Sequence, residues 1–383
     1  MIRKQICVMV VDNSPVLGGA ELYPIEIAER LDRNEFRFIF ALTHQSRVEY
    51  LSRRNIETLL YTSGKLKTFN PFAVVTHFTA SVRQLVGITK KSGVDIMQAN
   101  NVRAHILCAA VSIITGKPVL WVHHAYDFPL FLMALLSFIP RKIICVSKTV
   151  RAHYAGAVAD KSKLEIIYNG IDFNKLSRTS PGKYLDNFGA PQTVGIKVGI
   201  IGRIESRKGQ EYLITSIPRV LEQIKDAVFY VIGDTGPGER KYEKHLKELI
   251  TTLGIVERVV FIGFVDRPYD AIAALDIVTQ VSIKPESFGR VLIEAMALGK
   301  PVIATNIGAF CEIIEDGKDG MLVPLNDPAR LAETIIKIAR DPELARTLGS
   351  NGRKKMLERY DISASIEAYR ILYRKISVNV ARK

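Results

Sequence analysis

The sequence predicts an α/β protein with two doubly wound domains, each built on a mainly parallel sheet covered by helices. Short, β-branched apolar runs alternate with helical patterns along most of the 383 residues, and this alternation is typical of βαβ units. The alternation stops and restarts once, at a polar stretch with Pro and Gly over residues 174–193. A single core rarely grows beyond about 250–300 residues, so this length favours two domains.

The elements follow from local patterns of apolar residues. Strands are predicted at residues 5–11, 36–42, 118–122 and 142–146, and again at 198–202, 228–232, 258–262, 277–279 and 302–305. Helices are predicted between them, for instance at 20–31, 72–91, 210–221 and 242–253. We therefore expect an N-terminal domain over 1–180, a second domain over 190–358 and a C-terminal helix within 359–383.

The charge is unevenly distributed. The formal net charge is +14, and residues 1–190 hold 24 Lys or Arg against 14 Asp or Glu. Such a field attracts nucleic acid, anionic lipid or a phosphate-bearing substrate. No helix-turn-helix, zinc or RNP signature is present, so we expect no nucleic-acid partner. The N-terminus lacks a signal-peptide pattern, and the four scattered cysteines read as buried thiols, so we expect a cytoplasmic protein.

The segment at residues 285–305 carries the strongest chemical signal. Glu294 lies in an otherwise apolar helix pattern, eight residues after Glu286. A buried carboxylate needs a partner, and a ribose diol can donate two hydrogen bonds to it. Gly289 opens the helix, whose free backbone N–H groups suit a phosphate. The alternative is an exposed Glu on an amphipathic helix.

A second segment, GRIESRKG at residues 202–209, directly follows a predicted strand. It places Arg203 and Lys208 in a strand-to-helix loop, at the edge of the sheet where ligands of doubly wound domains bind. Two cations there can neutralise a diphosphate leaving group, Arg as a fork and Lys as a point charge. The alternative is a solvated basic loop, and Arg207 is the neighbour most easily mistaken for the functional cation.

These segments, with IIYNGID at residues 166–172, resemble the retaining glycosyltransferases of family 4, also called glycosyl transferases group 1. Glu286 and Glu294 match the family's E-x7-E motif, and GGAE (18–21) and WVHH (121–124) fit its N-terminal domain. The resemblance implies a GT-B fold, in which two Rossmann-like domains face a central cleft. It also implies transfer from a nucleotide-diphosphate sugar with retention at the anomeric carbon, and a last helix that crosses back to the N-terminal domain.

The resemblance also implies roles for individual residues. Arg203 and Lys208 would hold the diphosphate, Glu294 the ribose and Glu286 the sugar. His123 would touch the sugar from the opposite wall, and His124 competes for that role because strand alternation aims only one of the two at the cleft. Further donor contacts are expected at Gly18, Gly19, Gly202, Gly233, Phe264, Val265, Ser287, Phe288, Gly289 and Arg290.

No Asp-x-Asp sequence occurs, so we expect no metal and no cofactor, with Arg203, Lys208 and a helix dipole neutralising the diphosphate instead. The donor could be a UDP-, GDP- or ADP-sugar. The acceptor is open, and one hypothesis is a lipid-linked saccharide or glycolipid in cell-surface polysaccharide or glycoconjugate synthesis.

That hypothesis rests on residues 128–140, which carry no charge and precede Arg141 and Lys142. A buried helix and a helix docked on an anionic membrane surface explain this segment equally well. Bases at Lys65, Lys67, Arg83, Lys90 and Lys91 add to the positive field. Three rival functions remain: a non-hydrolysing nucleotide-sugar epimerase, a basic nucleic-acid-binding protein and a catalytically dead partner subunit, the last disfavoured by the intact motif residues.

Overall fold

The computed structural model describes residues 5–62, 71–124, 126, 128–179, 184–188, 195–236 and 238–381. Lys65 and Lys67 lie outside these residues. The chain divides into two compact units, Met1–Asn169 with Ser363–Lys383, and Gly170–Ile362. The second unit begins before the predicted boundary, because Ile171 bridges to Asp361 and its N–H donates to the Tyr360 carbonyl at 2.7 Å.

The first unit is a parallel sheet of seven strands in the order β3-β2-β1-β4-β5-β6-β7. The strands are β1 Ile6–Asp12, β2 Phe36–Leu42, β3 Glu57–Leu60, β4 Ile96–Ala99, β5 Val119–His123, β6 Lys142–Cys145 and β7 Leu164–Ile166. The helices are α1 Gly19–Arg30, α2 Gln45–Ser52, α3 Pro71–Lys91, α4 Val102–Thr115, α5 Leu130–Leu136 and α6 Lys148–Ala155. The central strands are buried on both faces, as parallel sheets require.

The second unit is a parallel sheet of six strands in the order β10-β9-β8-β11-β12-β13. The strands are β8 Lys197–Ile201, β9 Val228–Ile232, β10 Val259–Gly263, β11 Ile277–Gln280, β12 Val302–Thr305 and β13 Met321–Val323. The helices are α7 Phe173–Leu176, α8 Gln210–Gln223, α9 Arg240–Thr252, α10 Pro268–Ala273, α11 Arg290–Ala297, α12 Phe310–Ile313, α13 Pro328–Arg340 and α14 Pro342–Arg359.

The final helix, α15 Ile362–Ala381, packs on the first unit. The Tyr373 ring lies 5.9 Å from the rings of both Phe36 and Phe38, and its hydroxyl donates to Gln98. Arg374 forms an ion pair with Glu35. Aromatic packing and this ion pair together fix the helix against the strands of the first sheet.

In both sheets the order in which successive strands are added reverses at a switch point, between β1 and β4 in the first unit and between β8 and β11 in the second. Ligands of open α/β sheets bind outside the carboxyl ends of the strands at such points. One expectation about the cysteines is wrong: Cys7, Cys108 and Cys145 are buried, but Cys311 is exposed, because on α12 it is Phe310 and Ile313 that are buried.

Candidate active site

The loop after β8 is held in a conformation that only glycine permits. Gly209 has a φ of +78°, and a Cβ on it would lie 1.9 Å from the carbonyl oxygen of Val281. The Arg207 carbonyl accepts the Ile283 N–H at 2.9 Å. The loop therefore packs tightly on the chain leaving β11, and this contact brings Lys208 to the switch point of the sheet.

Lys208 meets Glu286 there. The Nζ of Lys208 lies 2.6 Å from Oε1 of Glu286, and the Ser282 hydroxyl donates to the same oxygen at 2.9 Å. Burial alone raises the pKa of Glu286, but the charge and hydrogen bond of Lys208, with Arg207 and Ser282, hold that pKa below its ordinary value. Glu286 is therefore ionised at neutral pH, and the pair is a fixed, partly desolvated structure.

The backbone around Glu286 is equally constrained. Gly308, with a φ of +57°, packs against it so closely that a Cβ would lie 2.7 Å from the Glu286 nitrogen and oxygen. The Glu286 carbonyl accepts the Ala309 N–H at 3.0 Å. Phe288 is buried against Tyr360, and Ser287 is half-buried between these two contacts. Packing contacts thus hold both ends of the predicted sugar-binding loop in place.

Glu294 lies buried on α11, as its apolar neighbours predict. Its Oε1 accepts from Nε of Arg290 at 2.8 Å, one helical turn earlier. Gly289 caps the helix with a φ of +89°, and a Cβ on it would collide with the Phe310 ring at 2.6 Å. The structure thus supplies the carboxylate with a cationic partner that the sequence had not paired with it.

Arg203 and Arg207 share one carboxylate. Arg203 lies 3.5 Å from Oε1 of Glu205, and Arg207 lies 3.0 Å from the same atom. Gln210 donates to the Arg203 carbonyl at 2.8 Å, which fixes the loop backbone. Two cations against one carboxylate leave this corner of the loop with a net positive charge, which suits an anionic ligand.

The remaining predicted donor contacts of this unit lie after β8, β9 and β10. Gly233 has a φ of +141°, and a Cβ on it would lie 2.0 Å from the Gly202 carbonyl oxygen, so the two loops touch through backbone alone. The Gly233 N–H donates to the Gly263 carbonyl at 2.9 Å. Phe264 is exposed and Val265 is half-buried just beyond. All these positions lie at the carboxyl edge of the sheet.

In the first unit, Gly18 and Gly19 lie at the start of α1. The side chain of Glu21 accepts from the Gly18 N–H at 2.9 Å. That N–H is therefore already used within the helix cap.

The two candidate histidines occupy different surroundings. The ring of His123 is buried among Trp121, Tyr154 and Phe128, at centroid distances of 4.9, 4.6 and 6.0 Å. Burial lowers the pKa of His123 to about 3, so the ring is neutral. His124 follows the end of β5, is half-buried, and its Nε2 lies 3.3 Å from Oδ1 of Asn100. His123 is thus the buried last residue of β5, and His124 is the half-buried residue just beyond it.

His124 borders a buried polar cluster that sequence reasoning missed. Asp12, at the end of β1, forms an ion pair with Arg47 at 3.1 Å and accepts hydrogen bonds from Asn100 at 3.1 Å and from Asn101 at 3.0 Å. Burial raises the pKa of Asp12, and Arg47 opposes that rise. The sequence carries one signal for this cluster: polar residues stand at the ends of two strands, Asp12 and Asn13 after VV, and Asn100 and Asn101 after QA. The cluster ties the carboxyl ends of β1 and β4 to α2.

No group of three or more His, Cys, Asp or Glu side chains suited to a metal ion occurs among the described residues. The polar groups of the second unit described above are a partly buried Lys–Glu pair, a net positive loop and a paired carboxylate on α11. This donor set fits a ligand with an anionic centre flanked by hydroxyl groups.

Comparison with known proteins agrees with that chemistry. The family model for glycosyl transferases group 1 matches residues 190–355, and the model for glycosyltransferase family 4 matches residues 17–175. N-acetyl-alpha-D-glucosaminyl L-malate synthase of Bacillus anthracis is 23% identical over 94% of both chains. Phosphatidyl-myo-inositol mannosyltransferase of Mycobacterium leprae is 32% identical over 56% of this chain and 54% of its own.

Among solved structures, Alr3699/HepE of Anabaena in complex with UDP and glucose superposes with a TM-score of 0.86 at 27% identity, covering 97% of this chain and all of that one. The same protein in complex with UDP-glucose gives a TM-score of 0.83 at 26% identity, over 99% of this chain and all of that one. The motifs, the two parallel sheets and these matches together show that the chain belongs to the GT-B glycosyltransferases of family 4, glycosyl transferases group 1.

Proposed function

We propose that this glycosyltransferase moves a sugar from a nucleoside diphosphate to a hydroxyl acceptor with retention at the anomeric carbon. The Lys208–Glu286 pair, 2.6 Å apart at the switch point of the second sheet, carries the proposal. UDP and UDP-glucose are the ligands named for HepE, so a UDP-sugar is the first donor to test, ahead of GDP- and ADP-sugars.

In this proposal Lys208 acts on the diphosphate while it remains paired with Glu286. The Lys208 ammonium has three N–H groups, one of which donates to Glu286. The others donate to the diphosphate as its bond to the sugar breaks and negative charge builds up on it. Arg203 adds a second cation, and the leaving phosphate assists removal of the acceptor proton. Glu294 binds the ribose hydroxyls, with Arg290 holding its carboxylate in place.

Catalysis without a metal ion belongs to the same proposal. Arg203 and Lys208 supply the positive charge that a divalent ion would otherwise bring to the diphosphate. Unchanged turnover after treatment with EDTA is expected. Loss of turnover that Mg²⁺ or Mn²⁺ restores would refute this part of the proposal and leave transfer itself intact.

For the acceptor we propose a lipid-linked saccharide or glycolipid, met at the cytoplasmic face of a membrane during synthesis of a cell-surface polysaccharide or glycoconjugate. The excess of Lys and Arg in residues 1–190 supports it. The Mycobacterium leprae relative bears the name of an enzyme that acts on a phosphatidyl lipid.

The test is a thermal-shift panel of UDP, GDP, ADP and their sugar conjugates on wild type, Glu294→Ala and Glu222→Ala. A ligand at one hundred times its Kd stabilises the native state by about 2.7 kcal/mol. We expect one nucleotide family to stabilise wild type and the Glu222→Ala control, whose substitution is at an exposed position of α8, but not Glu294→Ala. No shift with any nucleotide would overturn the donor assignment, and inversion at the anomeric carbon, read by NMR of the product, would overturn retention.

A further inference from the structure

The outward face of α5 is apolar and exposed. Phe131 is 73% exposed, Leu135 65% and Phe138, just beyond the helix, 66%. Met133, on the opposite face, is fully buried. Complete burial, one of the two interpretations of residues 128–140, is therefore excluded. Exposure of several large apolar side chains on one short helix is uncommon unless the surface binds something.

The helix is held rigidly to the first unit. Nε2 of His105, on α4, lies 2.9 Å from the carbonyl oxygen of Leu136. The Tyr154 hydroxyl accepts the Phe128 N–H at 3.1 Å. Both ends of the segment are therefore anchored through buried side chains, and the exposed apolar side chains are presented by the fold itself.

Positive charge borders this face. The Nζ of Lys163 donates to the carbonyl oxygens of Ser137 and Phe138, at 3.0 and 2.6 Å. Arg141, which is exposed, follows the apolar segment directly. Residues 141–165 contain six Lys or Arg and two Asp or Glu. Apolar side chains beside a net positive surface complement a bilayer whose headgroups are anionic.

From this arrangement we infer that the face formed by Leu130, Phe131, Leu135, Phe138 and Arg141 docks on an anionic lipid surface, inserting its apolar side chains among the headgroups. Because α5 has seven residues, far fewer than the roughly 20 that a spanning helix needs, docking takes place in the interfacial plane. Among the described residues, no helix combines the length and the hydropathy needed to cross a bilayer. On this face the proposed transferase meets a lipid-linked acceptor, a role that rests on the proposed function.

A second copy of the chain is the main competing occupant. The excess of Lys and Arg over residues 141–165 favours lipid, because two copies meeting through this face would bring like charges together. A bilayer containing phosphatidylglycerol offers the opposite charge together with an apolar layer.

The experiment is flotation of the full chain, without donor or acceptor, with vesicles of phosphatidylcholine alone and of phosphatidylcholine with phosphatidylglycerol. Wild type is expected to float with the anionic vesicles only. Phe131→Gln with Phe138→Gln is expected to lower the partition coefficient ~tenfold or more, since two aromatic side chains lose their burial in lipid. Ile371→Gln with Val378→Gln, a matched loss of two exposed apolar side chains on α15, is expected to leave it unchanged.

Two outcomes would overturn the inference. One is absence of wild-type protein from the floated fraction. The other is a wild-type dimer in sedimentation velocity that the Phe131→Gln, Phe138→Gln variant does not form, when wild type and variant bind vesicles equally. Donor thermal shifts on the same proteins separate the two proposals, because a failed flotation with an intact nucleotide shift removes the docking surface and leaves the transferase in place.

Discussion

We predict that the first unit loses stability in mild acid, because two of its histidines are buried. His105 is stacked on Trp121 at a centroid distance of 4.1 Å, and His123 lies against the other side of the same cluster. Burial lowers the pKa of His105 to about 4 and that of His123 to about 3. Both rings are neutral in the folded state down to pH values at which the unfolded chain is already protonated.

The sign follows from proton linkage. Below the ordinary histidine pKa of about 6.5 the unfolded state binds more protons than the folded state, so stability falls as the pH falls. Each histidine costs about 1.4 kcal/mol per pH unit in this range, or roughly 2 kcal/mol between pH 6.5 and 5. His105 and His123 together cost roughly 4 kcal/mol at pH 5, a large part of the 5–15 kcal/mol that typically separates folded and unfolded states.

The assay is urea unfolding at pH 7, 6 and 5, followed by the fluorescence of Trp121, the single tryptophan. Burial also lowers the pKa of His124 to about 4, so the histidines should lower the free energy of unfolding by roughly 4–6 kcal/mol from pH 7 to pH 5, and the decrease should be roughly 2 kcal/mol smaller in His105→Phe. His77→Asn, a change at an exposed position of α3, should keep the full decrease.

Asp12 acts in the opposite direction, because burial raises its pKa. Wild type and His105→Phe both contain Asp12, so the difference between their pH dependences isolates the histidine. An unfolding free energy equal at pH 7 and pH 5 would refute the argument. So would a His105→Phe variant that keeps the whole pH dependence.

Three further predictions concern the second unit. Lys208→Ala should lower turnover about 10²–10³-fold, as loss of a donor to a developing anion does; assays of initial rate should show a much smaller decrease for Arg207→Ala, and equal decreases would contradict the role of Lys208. Glu286→Gln should lower the thermal stability of the unit without donor, because it leaves the Lys208 charge without its carboxylate; an unchanged melting temperature would argue against a preformed pair. Gly209→Ala should lower the free energy of unfolding in urea by more than about 2 kcal/mol, since its Cβ would strike the Val281 carbonyl. The control Gly254→Ala, at a glycine with positive φ but open space around it, should lower that free energy by about 1 kcal/mol. Equal decreases would refute the packing argument.

The residues of the proposed donor site could be located from the sequence because they lie in contiguous segments. Glu286 and Glu294 are eight residues apart on one loop and helix, and Lys208 lies in a loop directly after a strand. The course of such segments is set by local pattern, and the carboxyl edge of a parallel sheet brings them together. The Lys208–Glu286 distance follows from the switch point of that sheet, since β8 and β11 are neighbours.

The first unit was harder because its polar residues are single side chains that no contiguous motif brings together. Arg47 and Asp12 are 35 positions apart and meet only after β1, β2 and α2 have packed. Alternation along β5 places His123 and His124 on opposite sides, but it does not say which side faces the buried aromatic residues. The strands β3 and β4, four residues each, were not among the predicted strands, although the equally short β6 and β12 were; a run of four residues does not by itself identify a strand.

The charges of the second unit explain why its site is built before any donor binds. Burial alone would raise the pKa of Glu286, because it penalises the charged carboxylate. The charge and hydrogen bond of Lys208, 2.6 Å away, oppose that rise and keep the carboxylate ionised. Arg290 and Glu294 repeat the arrangement one helix turn apart. In the proposed mechanism a diphosphate would therefore meet oriented charges that do not have to reorganise as its bond to the sugar breaks.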